Sequence, residues 1–232
     1  MHDDHEHGHG HSHDHHDHHH HGHSHDHDHV VAAPHPPAAK DEKIHTYHQL
    51  LGLAMKELLI EKGVFTGDEI RKAIEWRDSI TPAMGAEIVA HAWSDPAYKK
   101  RLLANGTEAI KEFGHDMGAL HLVVVENTPE IHNMIVCTLC SCYPRAILGL
   151  PPPWYKSREY RARAVREPRA VLKEFGTTIP QNVEVRVHDS TADMRYLVLP
   201  MRPAGTEKLS EAELAKLVTR DCMVGVSLPN SP

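Results

Sequence analysis

The first 29 residues have no apolar side chain between Met1 and Val30, which excludes them from any folded core. They hold 16 of the 24 histidines and seven acidic residues, but no lysine or arginine. A segment that buries nothing cannot offset the entropy lost on ordering, and the Pro/Ala-rich residues 30–39 are typical of an extended linker. We therefore predict a disordered tail and linker over residues 1–39 and a folded body that begins near Lys40.

The body is electrically neutral, because removing the tail's seven acids from the chain's 32 leaves 25, which equals the 25 basic residues. A neutral body argues against nucleic-acid binding through bulk charge. No apolar run approaches the roughly 20 residues that span a bilayer, and the N-terminus lacks the apolar segment of a secretory signal. We expect a cytoplasmic protein that binds neither nucleic acid nor membrane.

The first part of the body has helical periodicity and helix-boundary signals. Thr66 and Glu69 form a capping-box pattern, and Thr81-Pro82 and Asp95-Pro96 each place proline after a capping residue. The spacing predicts a helical arm over residues 40–115, with helices at 42–62, 66–78, 82–93, 96–104 and 107–113.

Residues 116–232 mix strand and helix patterns and are predicted to form the metal-binding catalytic α/β domain. Short β-branched or alternating runs predict strands at 122–125, 134–136, 183–187 and 194–199, the last two in an antiparallel sheet. Helices are predicted at 157–175, interrupted at Pro168, and at 210–219. The predicted fold class is α+β.

Three of the four cysteines fall within six residues, Cys137-Thr138-Leu139-Cys140-Ser141-Cys142. A disulfide scaffold would scatter its cysteines and require a secreted context, and a zinc knuckle would need a second distant pair. In C-x-x-C-x-C the sulfurs can share one ion, and the backbone nitrogens of Ser141 and Cys142 lie beside it. Such a five-ligand claw requires a strongly Lewis-acidic, trivalent ion, which disfavours zinc. The plainer alternatives are a zinc site or three buried thiols.

Other reactive side chains have simpler interpretations than the cysteine cluster. Cys222 lies in an apolar stretch and is expected to pack in the core. The histidines of the body are scattered, and none is assigned as a ligand. The arginine-rich run from Arg158 to Arg169 alternates with glutamates and is interpreted as a solvated face or a face docked on a partner. The His-rich tail could bind divalent metal ions for delivery to the claw, or could be an incidental extension.

The cluster and its surroundings resemble the nitrile hydratase α subunit. The resemblance covers residues 44–229 and rests on the following motifs: Val125-Glu126-Asn127-Thr128-Pro129, Val136 to Cys142, Leu148 to Pro152, Trp154-Tyr155-Lys156, Tyr160-Arg161, Arg166 to Arg169, Val185 to Val187, Arg195-Tyr196, Leu199-Pro200, Arg202 to Thr206 and Thr219-Arg220-Asp221.

The resemblance implies that Cys137, Cys140, Ser141 and Cys142 hold one Co(III) ion per subunit. Cobalt is favoured over iron because Thr138 stands where iron-type members carry serine. Cys137 would be the unmodified axial thiolate, Cys140 the cysteine sulfinic acid and Cys142 the cysteine sulfenic acid. Cys140, Ser141 and Cys142 would be the catalytic residues: the metal polarises the nitrile carbon, and the Cys142 sulfenate, or a water that it activates, attacks that carbon to give the amide.

The resemblance also implies an assembly. A nitrile hydratase β subunit would supply two arginines to the oxidised cysteines, in an αβ heterodimer or its dimer, and an activator or cobalt chaperone would serve maturation. The expected fold is a helical arm that wraps the partner, followed by a four-layer α-β-β-α domain.

Two departures from the nitrile hydratase sequence pattern leave alternative functions open. Arg145 follows Tyr143-Pro144 where nitrile hydratases carry tryptophan, whereas the related thiocyanate hydrolase γ subunit resembles this Tyr-Pro-Arg and also has a His/Asp-rich N-terminus. An arginine near the open metal position favours an anionic substrate. The family's Gln-Gly-Glu is also absent from residues 116–120. Nitrile hydration remains the favoured interpretation, with the metal-bearing subunit of thiocyanate hydrolase as the second and a non-catalytic cobalt carrier as the third.

Overall fold

The computed structural model describes residues 46–232 and confirms a mixed helix-and-strand, α+β fold. The predicted disordered tail and linker, and the first residues of the helix predicted at 42–62, lie outside the described residues. Among the described residues, no helix is long and apolar enough to cross a membrane.

The first two helices, α1 (Tyr47–Glu61) and α2 (Gly67–Ser79), contain no buried residue. The predicted capping box begins α2: the Thr66 hydroxyl accepts from the Glu69 amide at 3.1 Å, and the Glu69 carboxylate accepts from the Thr66 amide at 2.7 Å. Apolar side chains of both helices, including Leu50, Met55 and Trp76, are exposed. Local sequence signals therefore account for these two helices, because neither helix buries a residue in a core.

The next helical segments do contribute to the core. Helix α3 (Pro82–Ser94) buries six residues, α4 (Pro96–Ala104) follows its predicted cap at Asp95, and the short α5 (Gly106–Ala109) continues into a 3-10 turn at Ile110–Phe113. Ile88 and Leu102 belong to the same apolar cluster as the strand residues Met134 and Leu197. These helices therefore pack with the strands in one core.

Within residues 46–232, four strands form two parallel pairs, so the predicted antiparallel sheet is wrong. Strand β1 (His121–Glu126) pairs with β4 (Met194–Leu199), and β2 (Ile131–Val136) pairs with β3 (Glu184–Asp189). Only residues 190–193 separate β3 from β4, yet each pairs with an earlier strand. Alternation of apolar residues shows that one face is buried, but it does not reveal the direction of the neighbouring strand.

A helical crossover makes the parallel β2–β3 pair possible, since parallel neighbours need a connection of a dozen or more residues. It contains α6 (Arg145–Leu148), α7 (Pro153–Lys156), α8 (Arg158–Arg166) and α9 (Pro168–Glu174). The predicted break at Pro168 is confirmed, while the short α6 and α7 were not predicted. Two helices, α10 (Glu211–Leu217) and α11 (Arg220–Val224), follow β4.

Candidate metal centre

The cysteine cluster lies on the loop that leaves β2 at Val136 and enters α6 at Arg145. The Sγ atoms of Cys137 and Cys140 are 3.5 Å apart, and those of Cys140 and Cys142 are 3.3 Å apart. All three sulfurs lie within 4.8 Å of one another. Cys137 is buried at the strand end, whereas Cys140 is exposed. The loop therefore turns three thiols toward one point, at the boundary between core and surface.

The neighbouring thiols and amides favour a thiolate at Cys140. Hydrogen bonds from the thiols of Cys142 and Cys137, and from the backbone amide of Ser141, lower the pKa of Cys140 to about 7. Burial is the main cause that raises the pKa of Cys142, and the adjacent Cys140 sulfur adds to it. The amide of Cys142 also acts on the Cys140 sulfur. The backbone amides of Ser141 and Cys142 therefore both lie beside the Cys140 sulfur.

This donor set fits a thiophilic transition-metal ion. Thiolates are soft ligands that bind such ions in preference to Mg²⁺ or Ca²⁺, and three cysteine sulfurs converge here. Within residues 46–232, no other group of three His, Cys, Asp or Glu side chains converges in this way. The residues that would hold the ion are Cys137, Cys140 and Cys142, with the amides of Ser141 and Cys142.

Asp189 supports the loop from the neighbouring strand. Its carboxylate accepts from the Thr138 amide at 2.9 Å and from the Thr138 hydroxyl at 2.6 Å. The parallel register places Val136 opposite Asp189, which brings the carboxylate beside the residue that follows Cys137. Asp189 thus fixes the backbone between the first and second cysteines.

We expect Asp189→Ala to weaken cobalt retention about tenfold, since the loss of a group that orients a metal ligand costs 10–100-fold in metal affinity or activity. Asp189→Asn, which keeps an acceptor for the Thr138 amide, should show a smaller loss. Cobalt remaining after timed incubation with a chelator, measured by elemental analysis, checks this. Equal retention in Asp189→Ala and the unchanged protein would contradict it.

A cavity of about 320 Å³ opens in front of the second and third cysteines. Its charged lining comes from Arg145, at the start of α6, and Arg195, on β4. A guanidinium nitrogen of Arg195 donates to the Thr191 carbonyl at 2.6 Å. Neither arginine forms an ion pair with a carboxylate of residues 46–232. The cavity therefore places two arginines without a carboxylate partner in the described residues beside the cysteine sulfurs.

Apolar side chains form another part of the cavity wall. Met117 and Leu120 line it, in the segment where the related family would carry polar Gln-Gly-Glu. No polar replacement comes from this segment. Arg195, on β4, is the polar group that sequence reasoning did not assign to the site, because it lies far along the sequence from the loop that it faces across the cavity.

The simpler interpretations of other residues are supported. Cys222 is fully buried in the core, and burial raises its pKa. His132 is buried and bonds through Nε2 to the Gly225 carbonyl at 2.8 Å. In the arginine-rich run, Arg163 pairs with Glu167 and Glu174, so part of that run is a salt-bridged surface.

Comparison with known proteins agrees with the family resemblance described above. Residues 46–227 match the family model described as nitrile hydratase, alpha chain. The chain is 53% identical to the low-molecular weight cobalt-containing nitrile hydratase subunit alpha of Rhodococcus rhodochrous over 181 residues, 77% of this chain and 87% of that one. It is 43% identical to the thiocyanate hydrolase subunit gamma of Thiobacillus thioparus over 205 residues, 83% of this chain and 84% of that one.

A solved structure is also similar. The chain superposes on recombinant thiocyanate hydrolase comprising partially modified cobalt centers with a TM-score of 0.74 and 42% sequence identity. The match covers 80% of this chain and 91% of that one. Both cobalt-dependent groups are therefore similar to this chain over most of its length.

Proposed function

The chain belongs to the nitrile hydratase α-chain family, and on that premise we propose that it is the cobalt-bearing subunit of an enzyme that hydrates nitriles to amides. The observation that carries the proposal is the convergence of the Cys137, Cys140 and Cys142 sulfurs, the last two of which belong to residues that line a cavity large enough for a small substrate. The overall change adds one water across a carbon–nitrogen triple bond, with no further hydrolysis to the acid.

The residues of the site have different proposed roles. Cys137, Cys140, Ser141 and Cys142 would hold the cobalt, which when bound supplies Lewis acidity toward the nitrile. Cys140 and Cys142 face the cavity and are the proposed catalytic residues, carrying sulfinic and sulfenic oxygens after oxidation. Cys142, as sulfenate, would attack the nitrile carbon and regain its oxygen from water, or would activate a water that attacks that carbon. Met117 and Leu120 offer apolar surface to the alkyl part of a nitrile.

The proposed assembly is a complex with a nitrile hydratase β subunit. The exposed apolar residues of α1 and α2 support it, because isolated helices with such surfaces are stabilised by packing against another chain. Leu139, at the tip of the cysteine loop, is also highly exposed. We further propose a cytoplasmic location, maturation with an activator or cobalt chaperone, and a four-layer arrangement of the catalytic domain.

Arg145 favours a second candidate, thiocyanate hydrolysis. It lines the cavity together with Arg195, and two guanidinium groups without an ion-pair partner in the described chain would attract a small anion. The same metal centre would serve either reaction. The substrate, rather than the claw, therefore separates the two candidates.

We expect the cobalt-loaded complex of this chain with its β subunit to convert an aliphatic nitrile to the amide and to leave thiocyanate unchanged. Both substrates are assayed in parallel on one preparation, by chromatography for the amide and by ammonia release for thiocyanate. Amide formation alone would make Arg145 a structural or interface residue. Release of carbonyl sulfide and ammonia, with nitriles inert, would overturn the nitrile proposal and assign Arg145 to anion binding.

A further inference from the structure

Two buried tyrosines from the crossover hold the two ends of the cysteine loop. Tyr160, on α8, donates its hydroxyl to the Ile135 carbonyl at 2.6 Å, two residues before Cys137. Tyr155, on α7, donates its hydroxyl to the carbonyl of Cys142 at 2.8 Å. The carbonyls of the first and last residues of segment 135–142 therefore each accept a hydrogen bond from a tyrosine, and the two tyrosines lie on consecutive helices.

The two tyrosines form one rigid unit. Their ring centroids are 5.7 Å apart, and the Trp154 ring packs edge-on against both, 5.9 Å from Tyr155 and 4.9 Å from Tyr160. Tyr155 is fully buried and Tyr160 is 5% exposed. Aromatic side chains packed in this way have few alternative rotamers. The distance between the two hydroxyls is therefore set by the core and not by the loop.

Both hydroxyls are hydrogen-bond donors to the backbone. Each bond satisfies a backbone carbonyl at the edge of the core, where an unpaired carbonyl is costly. Neither bond uses a sulfur or nitrogen atom of the proposed ligand set.

We infer that Tyr155 and Tyr160 are positioning residues, which together set the end-to-end spacing of the cysteine loop and so bring the three sulfurs together before metal binds. The inference rests on the metal centre of the proposed function, but the contacts themselves do not involve the ion. The Cys142 end depends on Tyr155 in particular, because the backbone torsion that places its carbonyl also restricts where its nitrogen and sulfur lie. The Ile135 end also has strand pairing with β3 to hold it.

The test compares Tyr155→Phe and Tyr160→Phe with the control Tyr98→Phe in the full chain. Tyr98 is fully buried, and its hydroxyl donates to the Ala109 carbonyl at 3.3 Å, so the control removes the same kind of bond away from the loop. The first readout is amide hydrogen exchange of residues 137–143 in metal-free protein. The second is the rate of cobalt loss to a chelator from the loaded complex, together with the sulfur-to-cobalt absorption band.

We expect Tyr155→Phe to speed exchange in residues 137–143 and cobalt loss by about tenfold, the effect of losing one orienting partner of a metal ligand. Tyr160→Phe should have a smaller effect in the same direction, and Tyr98→Phe should leave both rates within about twofold of the unchanged protein. Exchange in Tyr155→Phe equal to that in Tyr98→Phe would overturn the inference. If the unchanged complex holds no cobalt, the metal centre itself is refuted, and the exchange comparison still decides the positioning role.

Discussion

We expect the Cys137→Ser variant to purify without cobalt and without activity, while Cys222→Ser keeps both. Cys137 supplies the buried sulfur of the cluster, 3.5 Å from the Cys140 sulfur. A serine hydroxyl in its place is a hard ligand that stays protonated near neutral pH, so one of three soft donors is lost. The proposed five-ligand claw would then lack one of its three sulfurs.

Cys222 is a matched control because it is equally buried but lies apart from the cluster. Its thiol bonds to the Thr219 carbonyl at 3.0 Å, a contact that a serine hydroxyl can also make. Cobalt per chain, measured by elemental analysis on complexes purified in the same way, compares the two variants. Full occupancy in Cys137→Ser would refute the assignment, and equal loss in both variants would point to general destabilisation.

The metal centre was accessible to sequence reasoning because its ligands are local. Cys137 and Cys142 are five positions apart, so any turn in that segment keeps their sulfurs near one another, whatever the rest of the chain does. The helix boundaries at Thr66, Asp95 and Ser210 were predictable for the same reason, since a cap depends on residues within one turn.

The residues that surround the loop were not accessible in the same way. Asp189 reaches Thr138 across 51 positions, and it does so only because β2 and β3 pair in parallel with Val136 opposite Asp189. The hydrogen bond from Tyr155 depends on how the crossover returns over the strands. The error about strand direction has the same origin, because a period-two pattern carries no information about the partner strand.

The short helix α11 shows a further limit of pattern reasoning. Thr219 caps it with Cys222 in the position that a glutamate or glutamine usually occupies, so the usual signature is absent. Its end nonetheless supports the strand that leads to the cysteine loop. The Gly225 carbonyl accepts from His132, and the backbone of Gly225 lies directly against Asn133 on β2.

We expect Gly225→Ala to lower the free energy of unfolding by at least about 4 kcal/mol, or to prevent folding, because a left-handed backbone and a steric clash add together. Gly225 has φ +87°, and a Cβ there would lie 2.0 Å from the Asn133 carbonyl oxygen. That oxygen belongs to the backbone of β2, so moving it would disturb the β2–β3 pairing. In a domain of this size the loss corresponds to a fall of about 10 °C in Tm.

Gly176→Ala separates the cost of the left-handed backbone from the cost of the steric clash. Gly176 has φ +80°, but nothing lies within 4 Å of a Cβ added there, so this variant carries only the conformational cost, about 1–2 kcal/mol. Urea unfolding of the full-length chain, followed by circular dichroism, measures both variants. If the two destabilise equally, the contact between Gly225 and Asn133 contributes nothing. If Gly225→Ala is far worse, close packing of Gly225 against β2 stabilises the strand that leads to Cys137.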